Sequence, residues 1–534
     1  MSKHLKTVTI ILLASFGLSQ LSAPALSLWP TLVALITVVL FRSALGGLFL
    51  GAISGVILMA NGHPFDALTS FFSKILLPAL SSEWNLSVLI FTLLLGGFAG
   101  LLEKGGGFES ILKKWLRQGS NLRSKVQGSA FLFGMICFFD GLASALLSGR
   151  ALRPIADRVG VSRAKLAYLV DSTGSAVACV AVMSTWIAYQ LSMIREGYLA
   201  AGIVGTEPFI LFLSSIPRNF YCWFTLLLVF LTIRYSINLG PMKKAEQLAS
   251  KETVGTEQSN NSQQKDQETN GSLGVLLPLI TLVASLFIGL YWNGVSGDAW
   301  PISFAKLKQA YGDAQSNLIL LYSSTIACIV ALLTNQKAIA QKKLSPAQVF
   351  GEGVSRFLSP SLVLIAAWCL SGTLRELGAS TFLSKALSGN LPPSLFPVSV
   401  FALGVLISFT TGTSWGTMGV LMPLTIPVCV SIAPGSDAMM ASAVAAVFSG
   451  AVFGDHCSPL SDTTIVSSIA CEINPYDHFR TQLPYALLAA SVAALAGFIP
   501  MGYGLSPWLC LLLGSIILFL TPIVFKKSFP VSSS

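Results

Sequence analysis

The sequence predicts an all-α polytopic membrane protein with two inverted-topology repeats, about twelve transmembrane spans, two re-entrant hairpins and broken helices. Three observations lead to this fold class. The 534 residues are 53% hydrophobic and only 10% charged, whereas ordinary soluble domains carry about a quarter charged residues. Apolar runs close to the ~20 residues that cross a bilayer recur along the chain. Polar motifs interrupt these runs at corresponding places in the two halves.

The predicted spans follow the apolar runs, and the loops between them indicate the orientation. Basic residues concentrate in short loops, for example Lys113 and Arg117, which marks these loops as cytoplasmic. The first apolar run follows Lys3 and Lys6, so residues 1–24 are interpreted as a signal-anchor helix, with a cleaved signal peptide as the alternative. The spans are predicted at residues 7–22, 27–41, 44–60, 86–103, 166–191, 218–238, 273–292, 315–334, 354–375, 437–470 (interrupted), 484–500 and 507–525.

Two further apolar stretches are predicted to enter and leave the membrane on the same side. Residues 128–155 have basic clusters on both flanks, which a single crossing would not satisfy, and the chain is expected to turn at Asp140-Gly141. Residues 395–433 contain the polar run Thr411-Gly412-Thr413-Ser414, and their surroundings hold one basic residue, Lys385, so this hairpin is expected to enter from outside. Such segments are tolerated where they are buried in protein or line a wet cavity.

The two halves repeat the same order of features. Each has a hairpin with a polar tip, followed by a helix that a polar motif is expected to break, at Asp171-Ser172-Thr173 in the first half and at Asp455 to Thr464 in the second. Inverted repeats with broken helices are an architecture of secondary transporters. The alternative is the loose self-similarity of any polytopic protein.

The repeats suggest a division of the chain into five parts. The segment between the halves is rich in Gln, Asn, Ser and mixed charges, so it is expected to be a disordered cytoplasmic linker. The parts are a signal-anchor or signal-like helix at 1–24, a first repeat at 25–239, the linker at 240–272, a second repeat at 273–505, and a terminal helix with a cytoplasmic tail at 506–534.

Four acidic residues are expected at membrane depth, namely Asp140, Asp171, Asp455 and Asp462. An ionisable side chain there costs on the order of several kcal/mol, so a functional role is the default interpretation. Burial favours the neutral carboxyl group, whereas a bound cation favours the charged one. Each acid is therefore expected to hold either a proton or a metal cation. For Asp171, an ion pair with an arginine such as Arg153, or a helix-capping role, is the alternative.

Oxygen ligands suited to a sodium ion lie beside these acids. Asp455, Asp462 and Asp171 are predicted as direct Na+ ligands. His456 is considered as a second proton carrier, because its unperturbed pKa lies near neutrality, with a structural histidine as the alternative. Hydroxyl groups bonded back to their own helix are the alternative for the serines and threonines. The predicted hydroxyl-bearing site residues are Ser172, Thr173, Thr411, Thr413, Ser414, Ser458, Ser461 and Thr463.

Other functions find little support in the sequence. No Gly-x-x-x-x-Gly-Lys-[Ser/Thr] loop is present, so ATP-driven transport is unsupported. The sequence shows no recognisable pair of a nucleophile and a general base, so an enzyme is not indicated. No catalytic residue or cofactor is predicted. The basic residues behind the net charge of +10 lie in short loops between apolar runs. This placement is the positive-inside pattern of a membrane protein and does not indicate a nucleic-acid partner. Asp157, Asp477 and His478 are expected at the solvated cytoplasmic boundary.

At these residues the chain resembles the NhaC-type sodium/proton antiporter family of the ion-transporter superfamily. The run Gly454-Asp-His-Cys-Ser-Pro-Leu-Ser-Asp-Thr-Thr464 and the following Asp477-His478 and Thr481-Gln482-Leu483-Pro484-Tyr485 are similar to the family's signature. The resemblance extends from about Ser27 to Leu520. Where the family usually has Asp-Asp-Tyr-Ala-Asn, this chain has Asp140-Gly-Leu-Ala-Ser144. One carboxylate and one carboxamide of the family's motif are therefore absent, which leaves the cation stoichiometry and the substrate open.

The resemblance implies a secondary active transporter that exchanges sodium for protons by alternating access. It also implies a multi-pass protein of the bacterial cytoplasmic (inner) membrane, and the basic residues Lys526 and Lys527 predict a cytoplasmic C-terminus. A Na+-coupled carrier or exchanger of a small organic acid or amino acid is the alternative, and a channel is a further one. The expected partners are membrane lipid, sodium ions and protons. The oligomeric state stays open between a monomer and a homodimer.

Overall fold

A computed structural model describes residues 3–21, 23–116, 122–254, 271–387 and 389–525. These ranges are almost entirely helical and contain no strand, because backbone groups inside a bilayer have to be satisfied within their own segment. Among the described residues, nine helical segments are long and apolar enough to cross a membrane, or up to eleven if two bent pairs count as one span each. Shorter apolar helices accompany them at Leu5–Leu18, Ala44–Met59 and Pro507–Ile523. The predicted all-α polytopic fold class is confirmed.

The N-terminal group consists of α1 (Lys3–Leu18), α2 (Trp29–Phe41), α3 (Ala44–Met59), α4 (Pro64–Ser70) and α5 (Leu77–Ser81). Helix α1, which lies in the predicted signal-anchor segment, packs against α3. The indole nitrogen of Trp29 donates to the hydroxyl of Ser15 at 2.9 Å and so connects α2 to α1. The start of α3 is capped by Ser43, whose hydroxyl accepts from Gly46 N at 3.1 Å.

The rest of the predicted first repeat contains α6 (Glu83–Gly105), α7 (Gly107–Leu116), α8 (Leu122–Ile136), α9 (Gly141–Arg158), α10 (Arg163–Val180), α11 (Thr185–Ala200), α12 (Pro208–Ser215) and α13 (Phe220–Tyr235). Helices α8 and α9 form the first hairpin, which turns at Asp140 as predicted. The Asp140 carboxylate accepts from Leu142 N at 3.2 Å and caps α9. Helices α10 and α11 form the first broken helix.

The first broken helix differs from the prediction in the position of its break. Helix α10 continues through Asp171-Ser172-Thr173 and ends at Val180, about two turns later than expected. The Thr173 hydroxyl bonds to the carbonyl of Leu169 at 2.8 Å, which is compatible with an unbroken helix. The break follows at residues 181–184, where Ser184 caps the next half-helix. Polar side chains alone therefore did not open α10.

The start of the predicted linker is also a helix, α14 (Pro241–Val254). The Glu246 carboxylate accepts from Ser162 N at 2.7 Å and forms an ion pair with Arg123 at 2.6 Å. Met242 is fully buried. These contacts hold residues 241–254 against the first repeat, so they do not form the disordered segment that composition suggested. Residues 255–270 of the predicted linker lie outside the described residues.

The second half contains α15 (Leu273–Gly294), α16 (Phe304–Asp313), α17 (Ser316–Gln341), α18 (Pro346–Arg356), α19 (Leu358–Glu376), α20 (Ala379–Leu387), α21 (Phe396–Thr411), α22 (Ser414–Ile432), α23 (Asp437–Cys457), α24 (Asp462–Cys471), α25 (Pro475–Val492), α26 (Ile499–Gly502) and α27 (Pro507–Phe525). Helices α21 and α22 form the second hairpin, and α23 and α24 form the second broken helix. Both turn or break at the predicted residues. Short 3₁₀ turns lie at Pro24–Leu28, Ile216–Arg218 and Pro393–Leu395, and π turns at Phe71–Leu76 and Ala493–Phe498.

The hairpins and broken helices of the two repeats pack crosswise. Helix α9 of the first hairpin contacts α24, and α22 of the second hairpin contacts α11. Each hairpin tip also lies at the break in its own repeat, since Thr185 N donates to Phe139 O at 2.9 Å and Gly412 lies against Leu460. This reciprocal arrangement is the one expected of inverted repeats with re-entrant hairpins.

Candidate ion-binding site

A buried polar centre lies where α10 of the first repeat meets α23, α24 and α25 of the second. The second broken helix creates it, because α23 ends at Cys457 and α24 begins only at Asp462. The acids Asp171 and Asp455 are 1% and 5% exposed, and His456 and His478 are also buried. The centre therefore joins the two repeats through side chains that water does not reach freely.

Asp455 stands at the end of α23 and is surrounded by hydroxyl groups. Its Oδ1 accepts from the Ser461 hydroxyl at 3.1 Å, and its Oδ2 accepts from the Ser175 hydroxyl at 3.2 Å. Its main-chain carbonyl accepts from the hydroxyls of Thr463 at 2.6 Å and Thr464 at 3.4 Å. The carboxylate is thus connected to α24 across the break and to α10 across the repeat interface.

Asp171 on α10 is held by donors on one oxygen only. Its Oδ2 lies 3.0 Å from His478 Nε2, 2.9 Å from Gln482 Nε2 and 3.4 Å from the Thr464 hydroxyl. Its Oδ1 is buried without a hydrogen-bond partner in the described structure. The Gln482 amide also donates to the carbonyl of His456. Gln482 and Thr464 therefore connect the surroundings of Asp171 to those of Asp455.

His456 has a hydroxyl group on each ring nitrogen. Its Nε2 lies 2.7 Å from the Ser172 hydroxyl, and its Nδ1 lies 2.7 Å from the Tyr221 hydroxyl. A hydroxyl can donate or accept, so this environment suits a neutral imidazole in either tautomer. The contacts are those of a hydrogen-bonded structural histidine, and the proton-carrier role stays a prediction.

The two acids have no lysine or arginine beside them in the part of the chain that the structure describes. Among those residues, neither Asp171 nor Asp455 forms an ion pair with a lysine or an arginine. Arg153, the partner considered for Asp171, instead pairs with Glu472 at 2.5 Å. Because a buried carboxylate needs compensation, these acids depend on the polar groups around them, on protons or on a mobile cation.

Asp462 and Asp140 do not join this centre. Asp462 is exposed at the first turn of α24, since the break at residues 458–461 turns the chain before it. Asp140 is buried at the tip of the first hairpin and bonds within that hairpin. In the described ranges, no group of three or more His, Cys, Asp or Glu is placed to hold a metal ion. The predicted trio of Asp455, Asp462 and Asp171 therefore does not form one site.

The predicted hydroxyl-bearing residues divide into three groups. Ser172, Ser461 and Thr463 belong to the buried centre. Thr173 and Thr411 bond back to carbonyls of their own helices. The remaining three connect to the second hairpin: Ser458, in the break after α23, donates to Phe409 O at 2.8 Å, Thr413 caps α22, and Ser414 is buried in the first turn of that helix.

Sequence reasoning missed several members of the centre. His478 was expected at a solvated boundary but is fully buried against Asp171, whereas Asp157 and Asp477 are exposed as expected. Gln482 and Tyr221 were not predicted either. One signal was available for two of them: His478 and Gln482 are four residues apart, so they share one face of α25. The burial of that face depends on tertiary packing.

Comparison with known proteins relates the sequence to a family of transporters. The model of the Na+/H+ antiporter family matches residues 177–503. An uncharacterized protein of Haemophilus influenzae is 29% identical over 500 residues, which cover 91% of this chain and 92% of that protein. The Na+/H+ antiporter NhaC of Alkalihalophilus pseudofirmus is 37% identical over 121 residues, or 22% of this chain and 23% of NhaC.

One further protein matches part of the sequence, and one solved structure has a similar fold. The malate-2H+/Na+-lactate antiporter of Bacillus subtilis is 30% identical over 167 residues, or 31% of this chain and 34% of that protein. The crystal structure of the YdaH transporter of Alcanivorax borkumensis superposes with a TM-score of 0.55 at 16% identity, covering 90% of this chain and 99% of that one, which is a likeness of fold alone. The protein is a multi-pass secondary transporter, and since the family model covers more than half of its length, the chain belongs to the Na+/H+ antiporter family.

Proposed function

We propose that the protein exchanges Na+ for protons, and that the two ions compete for the buried carboxylate of Asp455. One observation carries this proposal: both carboxylate oxygens are contacted by hydroxyls, from Ser175 of one repeat and Ser461 of the other. A serine hydroxyl offers lone pairs to a cation and can equally accept a hydrogen bond from a protonated carboxyl group. The same surroundings therefore suit Na+ and H+ in turn.

The position of Asp455 supports alternating access. It lies beside a helix break and between the repeats, where opened backbone and hydroxyls are available to a cation. The transporter would load Na+ from one side, release it on the other and return protonated. If the exchange is not one for one, the membrane potential contributes about 2.3 kcal/mol per net charge per 100 mV. We propose that the protein lies in the bacterial cytoplasmic membrane with its C-terminus in the cytoplasm, because the basic residues Lys526 and Lys527 follow the last apolar helix.

Proteoliposomes with an imposed proton gradient test the proposal. Addition of Na+ should collapse the gradient, which an internal pH dye reports, and Asp455→Asn should abolish the response because the neutral amide cannot exchange a proton for a cation. Asp437→Asn is the matched control, since Asp437 lies exposed at the other end of the same helix. A normal response in Asp455→Asn would contradict the proposal.

A Na+-coupled exchanger of a small organic acid or amino acid is the second candidate. The first hairpin tip carries Asp140 followed by Gly141 and lacks the second carboxylate usual in the family it resembles. In addition, one partial relative is a malate-2H+/Na+-lactate antiporter. Vesicles preloaded with unlabelled organic acids or amino acids distinguish the two functions when uptake of the same labelled solutes is measured with and without Na+. Solute exchange that requires Na+ and exceeds Na+/H+ exchange would favour the second candidate.

A further inference from the structure

We propose that Glu196 is an outer relay site for the transported cation, at the outer end of a polar face of α11 that leads to the second hairpin. This inference rests on the proposed function and extends it, because it assigns the group that first holds Na+ arriving from outside. Glu196 lies near the end of α11 and pairs with Arg375 of α19. The site is therefore separate from the buried centre at Asp455.

One face of α11 carries buried polar groups along its length. Tyr189, Ser192 and Glu196 are three and four residues apart, so they share this face, and all three are buried. The Tyr189 hydroxyl donates to Trp415 O at 2.7 Å, and the indole nitrogen of Trp368 donates to the Ser192 hydroxyl. Helices α22 and α19 thus cover the polar face. Ionisable and polar side chains buried in a membrane commonly mark ion pathways.

The polar face runs from the second hairpin towards the outside. The ring centres of Tyr189 and Trp415 are 4.4 Å apart, and a Cβ on Gly197 would meet Ile426, so α11 and α22 run in the same direction. Because the second hairpin is predicted to enter from outside, α22 leads back to the outer surface. The end of α11 that carries Glu196 therefore points outward.

The inner end of the polar face adjoins the break beside Asp455. Trp415 lies in the first turn of α22, directly after the hairpin tip. Gly412 in that tip lies against Leu460, in the break between α23 and α24. The next residue, Ser461, donates to Asp455 Oδ1 at 3.1 Å. The second hairpin tip thus connects the polar face to the proposed Na+ site.

The surroundings of Glu196 suit reversible binding of a cation. Glu196 is buried whereas Arg375 is exposed, and the 3.8 Å between Oε2 and Nη1 exceeds a hydrogen-bond distance. The Ser371 hydroxyl lies beside the carboxylate outside hydrogen-bond geometry, and its Oγ is buried without a partner among the described residues. A carboxylate and an unused hydroxyl are the oxygen ligands that suit a hard cation.

Two arginines act on Glu196, and their surroundings differ. The Arg195 guanidinium lies 4.8 Å from the ring centre of Trp84, so it is engaged by that ring. The exposed Arg375 side chain can turn into solvent. Na+ arriving from outside displaces Arg375 from Glu196, and the carboxylate then passes the cation to the polar face. A negative charge at the mouth of a narrow path raises the local cation concentration and the rate of association.

Initial rates of Na+/H+ exchange in right-side-out and everted membrane vesicles test this inference, because the two preparations present Na+ to opposite faces. Glu196→Gln should raise the KM for outer Na+ about tenfold, with the kcat at saturating outer Na+ unchanged and the KM for inner Na+ little changed. Arg375→Gln should lower the KM for outer Na+, because it removes the competing cation. The matched control is Glu376→Gln, since Glu376 is exposed at the end of α19.

The outcomes separate this inference from the proposed function. A wild type without Na+/H+ exchange would overturn both, whereas an exchanging wild type whose outer KM is unaltered by Glu196→Gln would overturn only the relay site. An equal rise of both KM values, or a loss of thermal stability with both KM values unaltered, would make Glu196–Arg375 a structural ion pair and also overturn it. If Glu196→Gln does not fold, Arg375→Gln decides, and an unchanged outer KM in that variant contradicts the inference.

Discussion

The buried acids are held by groups that come from both repeats. Ser175 and Ser172 on α10 contact Asp455 and His456 of the second repeat, and His478 on α25 contacts Asp171 of the first. Loss of one of these hydrogen bonds would leave a buried polar atom unpaired, at a cost of about 1–3 kcal/mol. The site therefore also contributes to the cohesion of the two halves.

A single hydroxyl group tests this cohesion. Tyr221→Phe removes the group that lies 2.7 Å from His456 Nδ1, so we expect the free energy of unfolding to fall by about 1–3 kcal/mol. Thermal unfolding of the purified variant in detergent would measure the loss. Tyr476→Phe is the control, because the Tyr476 side chain is exposed. Equal stability of the two variants would show that the contact does not stabilise the centre.

The sequence located part of the site and misplaced the rest for identifiable reasons. Asp455, Ser461 and Thr463 were predictable, because polar residues around a break in an apolar run are costly at membrane depth unless they bind something. Asp462 was assigned to the same site by proximity along the chain, but the turn at residues 458–461 leaves its side chain exposed, away from the centre. His478 was missed because its burial results from the packing of α25 on α10, which local sequence does not contain.

At the scale of elements, close contact between α21 and α23 positions Asp455. Glycines allow it: a Cβ on Gly454 would overlap the backbone carbonyl of Ser408, and one on Gly450 would lie 2.8 Å from Gly404 Cα. The Ser408 hydroxyl then donates to Gly450 O at 2.7 Å and accepts from Gly454 N at 3.0 Å. Small residues and interhelical hydrogen bonds are the usual means of tight packing between membrane helices.

Gly454→Ala should separate these two helices. The added methyl group meets backbone, which cannot move aside as a side chain can, so we expect a destabilisation of about 1–3 kcal/mol or more and impaired Na+/H+ exchange. Gly128→Ala in α8 is the control, since a Cβ there meets nothing within 4 Å, and its effect should stay within about 1 kcal/mol. Thermal unfolding and the proteoliposome assay would measure both. Normal stability of Gly454→Ala would refute the close contact.

Element boundaries were predictable where turn chemistry coincides with a polar motif. The hairpin turns at Asp140 and at Gly412-Thr413 fulfil this condition, since Asp and Thr cap the following helices. The break in the first repeat fulfils it less clearly, because Ser184 is the one polar residue among apolar residues 181–184. The contact between Thr185 N and Phe139 O fixes the position of this break. That contact joins residues distant in sequence.

At the scale of the molecule, packing distinguishes two groups of helices, and the proposed alternating access would move one relative to the other. The inner group, α9, α10, α11, α22, α23 and α24, is interlocked by the crosswise packing of the repeats. The outer group, α6, α15, α17 and α18, packs consecutively and reaches the inner group mainly through α6 and α11. There the Arg195 guanidinium lies 4.8 Å from the ring centre of Trp84.

A reversible cross-link between the groups should stop transport. We expect a short thiol cross-linker across Trp84→Cys and Arg195→Cys to block Na+/H+ exchange, and a reductant to restore it. Glu103→Cys with Arg356→Cys is the control, because this 2.6 Å ion pair lies within the outer group. Unimpaired exchange after complete cross-linking of the first pair would show that the two groups do not move relative to each other.

Competition between Na+ and a proton at Asp455 is the central claim, and proton release on Na+ binding tests it most directly. The purified protein in weakly buffered detergent solution should acidify the medium when NaCl is added, but not when choline chloride is added at equal ionic strength. Asp455→Asn should release no proton, whereas Asp437→Asn should release as many as the wild type. Na+ binding without proton release in the wild type, or undiminished release from Asp455→Asn, would contradict the claim.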